Sequence, residues 1–371
     1  MRNSLDLAGP PQDTRVVVAM SGGVDSSVAA AILADQGHDV IGLSMQLYDV
    51  SGQTNGERAF GRCCTLDDLH DARRVAAAIG IPHYILNLER QFDDVVISNF
   101  VAEYTSGRTP LPCARCNSDL KFAALLSRAI AFDADAVATG HYAQVVWNQT
   151  TARFQLRRGA DPTRDQSYFL FSLTQEQLGR AAFPVGDRDK SAVRAYARGR
   201  GLPVADKPDS QDICFIPDDD HAAFVAARAP EAVLGGTLVD QLGRVVGTHS
   251  GVHRFTVGQR RGLGLSMTGI EPMYVLALKP ADRQVVVGPK AALERVSLTA
   301  SHVNWIGGEP DGAVRLEAQI RHRHRPAAAT VRSLGDARAH VIFDAPQLAV
   351  TPGQAVVFYE EDVVAGGGWI D

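Results

Sequence analysis

The sequence of 371 residues predicts an α/β fold: a doubly wound parallel sheet over the first 220 residues, followed by β-rich sequence to the C-terminus. Three observations carry this. Apolar, β-branched runs alternate with helical spacing from Arg15 to Gly140. A turn of small residues joins the first of these strands to the first helix. Beyond Pro217, glycine and threonine rise, and short alternating runs replace the helical pattern.

The elements follow in order. Residues 15–20 (RVVVAM) read as a buried strand, and Ser21-Gly22-Gly23 as its turn. Residues 26–36 read as a helix with Gly37 behind it. A second strand covers 38–47. A helix covers 65–79, opened by a Thr65–Asp68 capping box and stopped by Gly80. Residues 81–88 form a third strand and 92–104 another helix. Asn117 caps a helix that runs to Ile130, and 134–139 is a short strand ending at Gly140-His141. Residues 152–158 read as a hairpin strand, and helical character returns at 174–178 and 191–200. The runs GTLVDQLGRVVG, MYVLALKP, RQVVVGP, VRLEAQIRHRH, AHVIFD and AVVFYE then have hairpin spacing. Boundaries near 220 and 296 give three expected domains: 13–220, 221–295 and 296–371.

Composition excludes several classes. Hydrophobic residues make up 45 % and charged residues 21 %, which excludes disorder as the main state. No apolar run approaches the roughly 20 residues needed to cross a bilayer. The stretch 1–13 is polar and lacks an apolar signal core. A cytoplasmic protein without membrane contact is expected. The net charge of -5 excludes a generally basic nucleic-acid coat, but not a local basic patch. Of the 37 basic residues, 32 are Arg, which suits bidentate phosphate contacts; genome composition produces the same bias.

Ala19-Met20-Ser21-Gly22-Gly23-Val24-Asp25-Ser26-Ser27 joins the first strand to the first helix. Small residues there let the backbone close around an anion, and the helix N-terminus favours phosphate. Ser21, Ser26 and Ser27 add hydroxyls. Asp25 could coordinate Mg²⁺ or hold it through water. No Lys follows the glycines, so this is not a Walker A loop, and it is not the dinucleotide G-x-G-x-x-G pattern. The form S-G-G-x-D-S resembles the PP-loop of ATP pyrophosphatases, which transfer AMP to a substrate oxygen. Adenylation turns a poor leaving group into a good one, and a nucleophile then displaces AMP.

The nucleophile is sought among the five cysteines, Cys63, Cys64, Cys113, Cys116 and Cys214. An odd number in a cytoplasmic chain argues against a structural disulfide framework. Cys116 lies directly before the expected cap Asn117. A helix N-terminus lowers a thiol pKa from about 8.5, and Arg115 and Lys121 add positive potential. Cys214 sits in KPDSQDICFIP, between turn-forming residues and a short apolar run. Any single cysteine also reads as a buried, inert side chain. The Cys113-x-x-Cys116 pair reads as a redox pair, half of a zinc site, or two cluster ligands. A zinc site would take Cys214 as third ligand and Cys63 or Cys64 as fourth. Cys63-Cys64 otherwise reads as non-catalytic.

Seven ordered blocks then carry a resemblance across nearly the whole chain: MSGGVDSS, CNSDLKF, ATGHYA, DQSYFL, DSQDICFI, HSGVHRFTVGQRRGLG and TPGQAVVFY. Together they resemble the bacterial tRNA-specific 2-thiouridylases. The resemblance implies a PP-loop α/β domain, a small central β-rich domain and a C-terminal β-barrel-like domain. It implies Cys116 as nucleophile and Cys214 as carrier of the transferable persulfide sulfur. It implies ATP contacts at Ala19, Met20, Ser21, Gly22, Gly23, Val24, Asp25, Ser26, Met45 and Gly140. It implies tRNA contacts at His141, Arg164, Asp165, Gln166, Arg321, His322 and Gln354.

The reaction implied is adenylation of the C2 oxygen of the wobble uridine, with Mg²⁺-ATP as donor, then displacement of AMP by persulfide sulfur. A transient Cys116–Cys214 disulfide and a persulfide donor protein, a cysteine desulfurase or a relay protein, belong to that scheme. Two positions depart from the family. Leu111-Pro112-Cys113 replaces an Asn-Pro-Asp stretch, which opens a second mechanism: an iron–sulfur cluster held by Cys113, Cys116 and Cys214. His322 stands where an aromatic such as Tyr is commoner, which weakens stacking on a nucleotide.

Taken alone, residues 320–325 (IRHRHR) read as a strand with Arg321, Arg323 and Arg325 on one face. That face is either a phosphate contact or a solvated edge that discourages aggregation. Gln259-Arg260-Arg261-Gly262 is a second basic point. A small-molecule PP-loop ligase is the competing reading of the ATP loop; it leaves the cysteines and the basic β-rich tail unused.

Overall fold

The computed structural model describes residues 5, 9–48, 66–209, 213–216, 220–265 and 272–371. The chain divides into two compact units. One comprises 1–95, 113–215 and 362–364; the other comprises 96–112, 216–361 and 365–371. The break at 215/216 lies near the expected boundary at 220, and both β-rich regions fall in the second unit.

The first unit is built on a sheet of order β3-β2-β1-β4-β7. Its strands are β1 Arg15–Ala19, β2 Asp39–Gln46, β3 His83–Asn87, β4 Ala136–Ala138 and β7 Ala181–Ala182, all parallel. Val16, Val17 and Val18 are fully buried, which is why β1 reads as a continuous apolar run rather than an alternating one. Helix α1, Val24–Asp35, buries Val28 through Ala31 and Leu33 completely. An apolar surface all round is what a helix enclosed by the sheet and its neighbours requires. Helix α2, Leu66–Ile79, presents Ala72, Val75 and Ala76 to the same core. A hairpin of β5 Ala143–Asn148 and β6 Arg153–Arg158 completes the unit.

The second unit holds two all-β assemblies. Strands β8 Gly236–Val239, β9 Val245–His249, β10 Tyr274–Lys279 and β11 Gln284–Gly288 form a sheet of order β10-β11-β8-β9. Its core is Leu238, Val252, Phe255, Leu263, Val275, Val285 and Val287. Strands β12 Glu294–Asn304, β13 Ala313–Gln319, β14 Ala327–Gly335, β15 Arg338–Leu348, β16 Ala355–Glu360 and β17 Val363–Ile370 follow. They run in the order β12-β15-β14-β13-β16-β17, and β12 pairs with β17, so the six strands close into a barrel. Closure leaves none of these strands as a free edge. Among the described residues, no helix is long and apolar enough to cross a membrane.

Two expectations need correction. Asn117 caps nothing: the helix begins at Pro112 and continues through Arg115, Cys116–Phe122 and Ala123–Ala131. Proline suits the first helical position, where its missing N–H would have no partner. Asn117 is buried instead, and its Nδ2 donates to the Phe169 carbonyl at 3.3 Å. The run 320–325 is a turn, not a strand, because β13 ends at Gln319. Gln319 Nε2 donates to the carbonyls of Arg321 (3.1 Å) and His322 (2.7 Å), and His324 N donates to Arg321 O at 2.9 Å. These bonds satisfy the backbone inside the turn. Thr65, Cys63 and Cys64 lie outside the described residues, so the expected capping box does too.

Phe358 tests the barrel core. It is fully buried, and Trp305 stacks on it at 5.5 Å between ring centroids. Phe358→Ala is expected to cost about 3–5 kcal/mol of barrel stability. Urea unfolding followed by tryptophan fluorescence measures it; a loss below about 1 kcal/mol would contradict this packing.

Candidate active site

The parallel strands end along one edge of the sheet. β1 and β4 are neighbours there, and the strand order runs outward from them in opposite directions. The loops that follow β1 and β4 therefore part and leave a crevice between them, the usual ligand position in a doubly wound sheet. Ala19 ends β1, and Met20 to Gly23 follow it. Met45 lies buried near the end of the adjacent β2. Gly140 and His141 follow β4.

Two glycines set the loop geometry. Gly22 has φ +73°, and a Cβ there would lie 2.1 Å from the Asp68 carbonyl oxygen. A Cβ on Gly140 would lie 2.4 Å from the Ser26 nitrogen, so glycine lets the end of β4 rest on the first turn of α1. Gly23 caps α1 without a side-chain hydrogen bond, which leaves the helix's leading N–H groups for an anion. Ser21 N donates to Ser26 Oγ at 3.1 Å, and the two hydroxyls are 3.1 Å apart. Ser44 Oγ donates to the Met20 carbonyl at 2.6 Å and holds the loop's first residue.

Charge around the loop is dense and paired. Asp25 accepts from the Tyr142 hydroxyl at 2.8 Å and from Lys190 Nζ at 2.7 and 2.8 Å. Lys190 also meets Asp209 at 2.9 Å, and Arg164 and Arg194 each meet Asp209 at 2.8 Å. Burial opposes the charge on Asp209, but Lys190, Arg164 and Arg194 outweigh it and hold the carboxyl below its usual range. Burial, then Asp25, pushes the Tyr142 phenol far up, so it remains a hydrogen-bond donor. Lys207 Nζ donates to the Gly22 carbonyl at 3.0 Å, Asp68 at 2.6 Å and Asp71 at 2.7 Å. Burial opposes its charge as well, and the two carboxylates more than restore it.

Sequence reasoning missed Lys190, Lys207, Asp209, Asp68 and Tyr142. A signal existed: the chain has five lysines against 32 arginines, and two of the five stand at this loop. Lys190 engages both oxygens of Asp25, so a Mg²⁺ ion coordinated directly by Asp25 would compete with that ion pair.

The cysteines differ in exposure. Cys113 is exposed in the first turn of its helix, Cys116 is buried one turn further, and Cys214 is half-buried. The helix-end argument made for Cys116 therefore does not hold, because Cys116 lies inside the helix. Cys116 instead opens the π-wound stretch Cys116–Phe122, an irregular winding that is frequent at functional positions. Arg115 pairs with Asp119 at 3.4 Å, which cancels part of its potential. Among the described residues, no three His, Cys, Asp or Glu side chains are grouped to hold a metal ion, so Cys113, Cys116 and Cys214 are not gathered as a cluster ligand set.

The expected RNA contacts fall into distinct roles. His141 Nδ1 and Thr139 Oγ1 are 2.7 Å apart, and desolvation, helped by Lys121, pushes the imidazole down to about 3. His141 is thus neutral at physiological pH and offers a hydrogen bond or a stacking face, not a cation. Asp165 accepts from Gly159 N, Ser167 N, Ser167 Oγ and Arg158 within 3.1 Å, so it braces its own loop. Gln166 exchanges hydrogen bonds with the Tyr142 backbone at 2.9 and 3.0 Å.

In the second unit, Arg321 is partly exposed and His322 exposed on the turn that Gln319 pins. Gln354 Nε2 donates to the carbonyls of Thr109 (3.0 Å) and Pro110 (3.2 Å), just upstream of Pro112. Gln259 Nε2 donates to the Arg261 carbonyl at 3.0 Å and fixes a turn that leaves Arg260 and Arg261 exposed.

Comparison with known proteins gives three matched families: the tRNA methyl transferase HUP domain over residues 14–218, the tRNA methyl transferase PRC-barrel domain over 222–289, and the aminomethyltransferase beta-barrel domain over 295–370. The chain is 51 % identical over 359 residues to the tRNA-specific 2-thiouridylase MnmA of Geotalea uraniireducens, covering 96 % of this chain and 95 % of that protein. It is 50 % identical over 374 residues to the protein of the same name from Rhodospirillum centenum, covering 99 % and 94 %. Among solved structures, a 4-thiouridine synthetase–RNA complex with bound ATP overlaps 59 % of this chain and 51 % of its own at 16 % identity, with a TM-score of 0.35.

His141 has a pH signature. Its folded pKa lies below the ordinary value of 6.5. Between about 3 and 6.5 the unfolded chain binds the extra proton, so the His141 contribution to stability is complete above that window and is lost as pH falls through it. His141→Gln should therefore lose less stability between pH 7 and pH 5 than the unsubstituted protein, measured by urea unfolding. Equal losses in the two proteins would contradict the desolvated imidazole.

Proposed function

From the premise that the chain belongs to the family of tRNA-specific 2-thiouridylases, we propose that it thiolates C2 of the wobble uridine of tRNA at the expense of ATP. The observation that carries this is the glycine loop. Its backbone leads into the uncapped start of α1 at the divergence of β1 and β4, in the same compact unit as Cys116 and Cys214. The matched domain descriptions name methyl transfer. An anion-binding loop of this form together with two separate thiols suits AMP and sulfur transfer instead.

Chemically, the C2 oxygen of uridine attacks the α-phosphate of ATP, and pyrophosphate leaves. The terminal sulfur of a Cys214 persulfide attacks C2, and AMP departs with the original oxygen. Cys116 thiolate attacks the Cys214 sulfur, which frees 2-thiouridine and leaves a Cys116–Cys214 disulfide. An external thiol reduces that disulfide. A persulfide donor protein reloads Cys214.

In this scheme Ala19, Met20, Ser21, Gly22, Gly23, Val24, Asp25, Ser26, Met45 and Gly140 line the nucleotide. His141, Arg164, Gln166, Arg321, His322 and Gln354 serve tRNA directly or by holding the segments that do, and Asp165 braces its loop. Arg321, Arg260 and Arg261 supply the salt-sensitive phosphate contacts. The domains are 13–220 for catalysis, 221–295 as the central module and 296–371 as the tRNA-contacting barrel, in a cytoplasmic enzyme. Mg²⁺ enters as the counter-ion of ATP, held by the phosphates rather than by a carboxylate cage.

The test is a thiolation assay with purified protein, unmodified tRNA, ATP and a persulfide-loaded desulfurase, read by mass spectrometry of nucleosides. Cys116→Ser and Cys214→Ser are each expected to lower turnover at least about 100-fold while nucleotide binding survives. Turnover retained by Cys116→Ser would remove the resolving role of that thiol. ATP–pyrophosphate exchange that proceeds without RNA would favour a small-molecule ligase, and activity that tracks bound iron would favour cluster chemistry.

A further inference from the structure

The segment that leads to Cys214 is tied to the glycine loop by charge at two points. Lys207 Nζ donates to the Gly22 carbonyl at 3.0 Å. Two residues on, Asp209 meets Lys190, which also holds Asp25. Arg194 fixes the backbone between them, with Nη1 donating to the carbonyls of Ala205 (3.2 Å) and Lys207 (3.1 Å). Cys214 follows five residues after Asp209.

We propose that Asp209 is a positioning residue for sulfur transfer: through Lys190 it couples a triphosphate in the glycine loop to the segment that carries Cys214. This rests on the reading of the loop as an ATP site. An ammonium has three N–H donors. Lys190 already has three contacts, two to the Asp25 oxygens at 2.7 and 2.8 Å and one to Asp209 at 2.9 Å. A phosphate oxygen that takes one of these donors must displace a carboxylate oxygen.

The two carboxylates are unequal. Beside Lys190, Asp25 at the start of α1 has the neutral Tyr142 hydroxyl, whereas Asp209 has two guanidinium groups, Arg164 and Arg194. Asp209 is therefore the carboxylate that Lys190 releases at lower cost. Only 11 % of the Lys190 side chain is exposed, so solvent screens the exchange weakly. Nucleotide in the loop thus shifts the hold on Asp209 toward Arg164 and Arg194, and the surroundings of Cys214 shift with it.

The experiment measures the rate at which iodoacetamide alkylates Cys214 in the full-length chain, by peptide mass spectrometry, with and without α,β-methylene ATP. Binding of the analogue is measured in parallel by equilibrium dialysis. The analogue should change the Cys214 rate about fivefold or more in the unsubstituted protein. Asp209→Glu should keep the response. Asp209→Asn should still bind the analogue but lose the response. The same response in Asp209→Asn overturns the proposal. So does an unchanged Cys214 rate in the unsubstituted protein despite bound analogue, a comparison that needs no variant to fold. Failure of the analogue to bind is a different result: it removes the ATP reading of the loop, and the coupling with it.

Discussion

The closeness of backbone to backbone at Gly22 and Gly140 governs the rest of the structure. At Gly22 there is no room for a Cβ beside the Asp68 carbonyl, and at Gly140 none beside the Ser26 nitrogen. These two approaches press the loop after β1 between α2 and the end of β4. The loop can then present amide groups, because its carbonyls already have donors: Ser26 and Ser27 both donate to Gly23 O, at 3.3 and 2.7 Å, Ser44 to Met20 O and Lys207 to Gly22 O. A wider loop would have to fill that space with side chains and would lose the close access to phosphate that glycine gives.

Electrostatics complete what sterics begin. Lys190, Lys207, Arg164 and Arg194 surround the loop, each paired with a carboxylate of Asp25, Asp68, Asp71 or Asp209. Removing one partner from such a partly buried network leaves an uncompensated charge, which costs more than the pair contributes. The network is therefore held as a unit. It spans β1's loop, α2, the helix Lys190–Gly199 and the segment before Cys214. An incoming polyanion competes with carboxylates for cations that are already in place, so the site is preorganised and its side chains need little rearrangement.

Much of this was legible in the sequence. The parallel sheet, the strand–loop–helix setting of residues 19–27 and the β-rich tail follow from apolar periodicity and turn residues, because Val16–Val18 and Val28–Leu33 are buried in unbroken apolar runs. The start of the Cys116 helix was not legible. Asn117 has the chemistry of a cap, but its side chain is spent on the Phe169 carbonyl, a partner 52 residues away. The turn at 320–325 was hidden for a different reason: it depends on the side chain of Gln319, a polar residue buried at the end of β13, which bonds the carbonyls two and three residues on. The ion pairs of Lys190 with Asp25 and of Lys207 with Asp68 join residues 165 and 139 positions apart, and no local pattern reports such pairs. Local chemistry was readable; the long-range partner of each polar side chain was not.

The central claim is that the glycine loop activates the C2 oxygen of uridine as an adenylate. Its most direct test follows that oxygen. Unmodified tRNA carrying oxygen-18 at uridine C2 is reacted for a single turnover with ATP and the persulfide-loaded protein, and AMP and nucleosides are analysed by mass spectrometry. The account predicts that each 2-thiouridine formed is matched by one AMP carrying the heavy isotope. Thiolated tRNA accompanied by unlabelled AMP, or by no AMP, would contradict it.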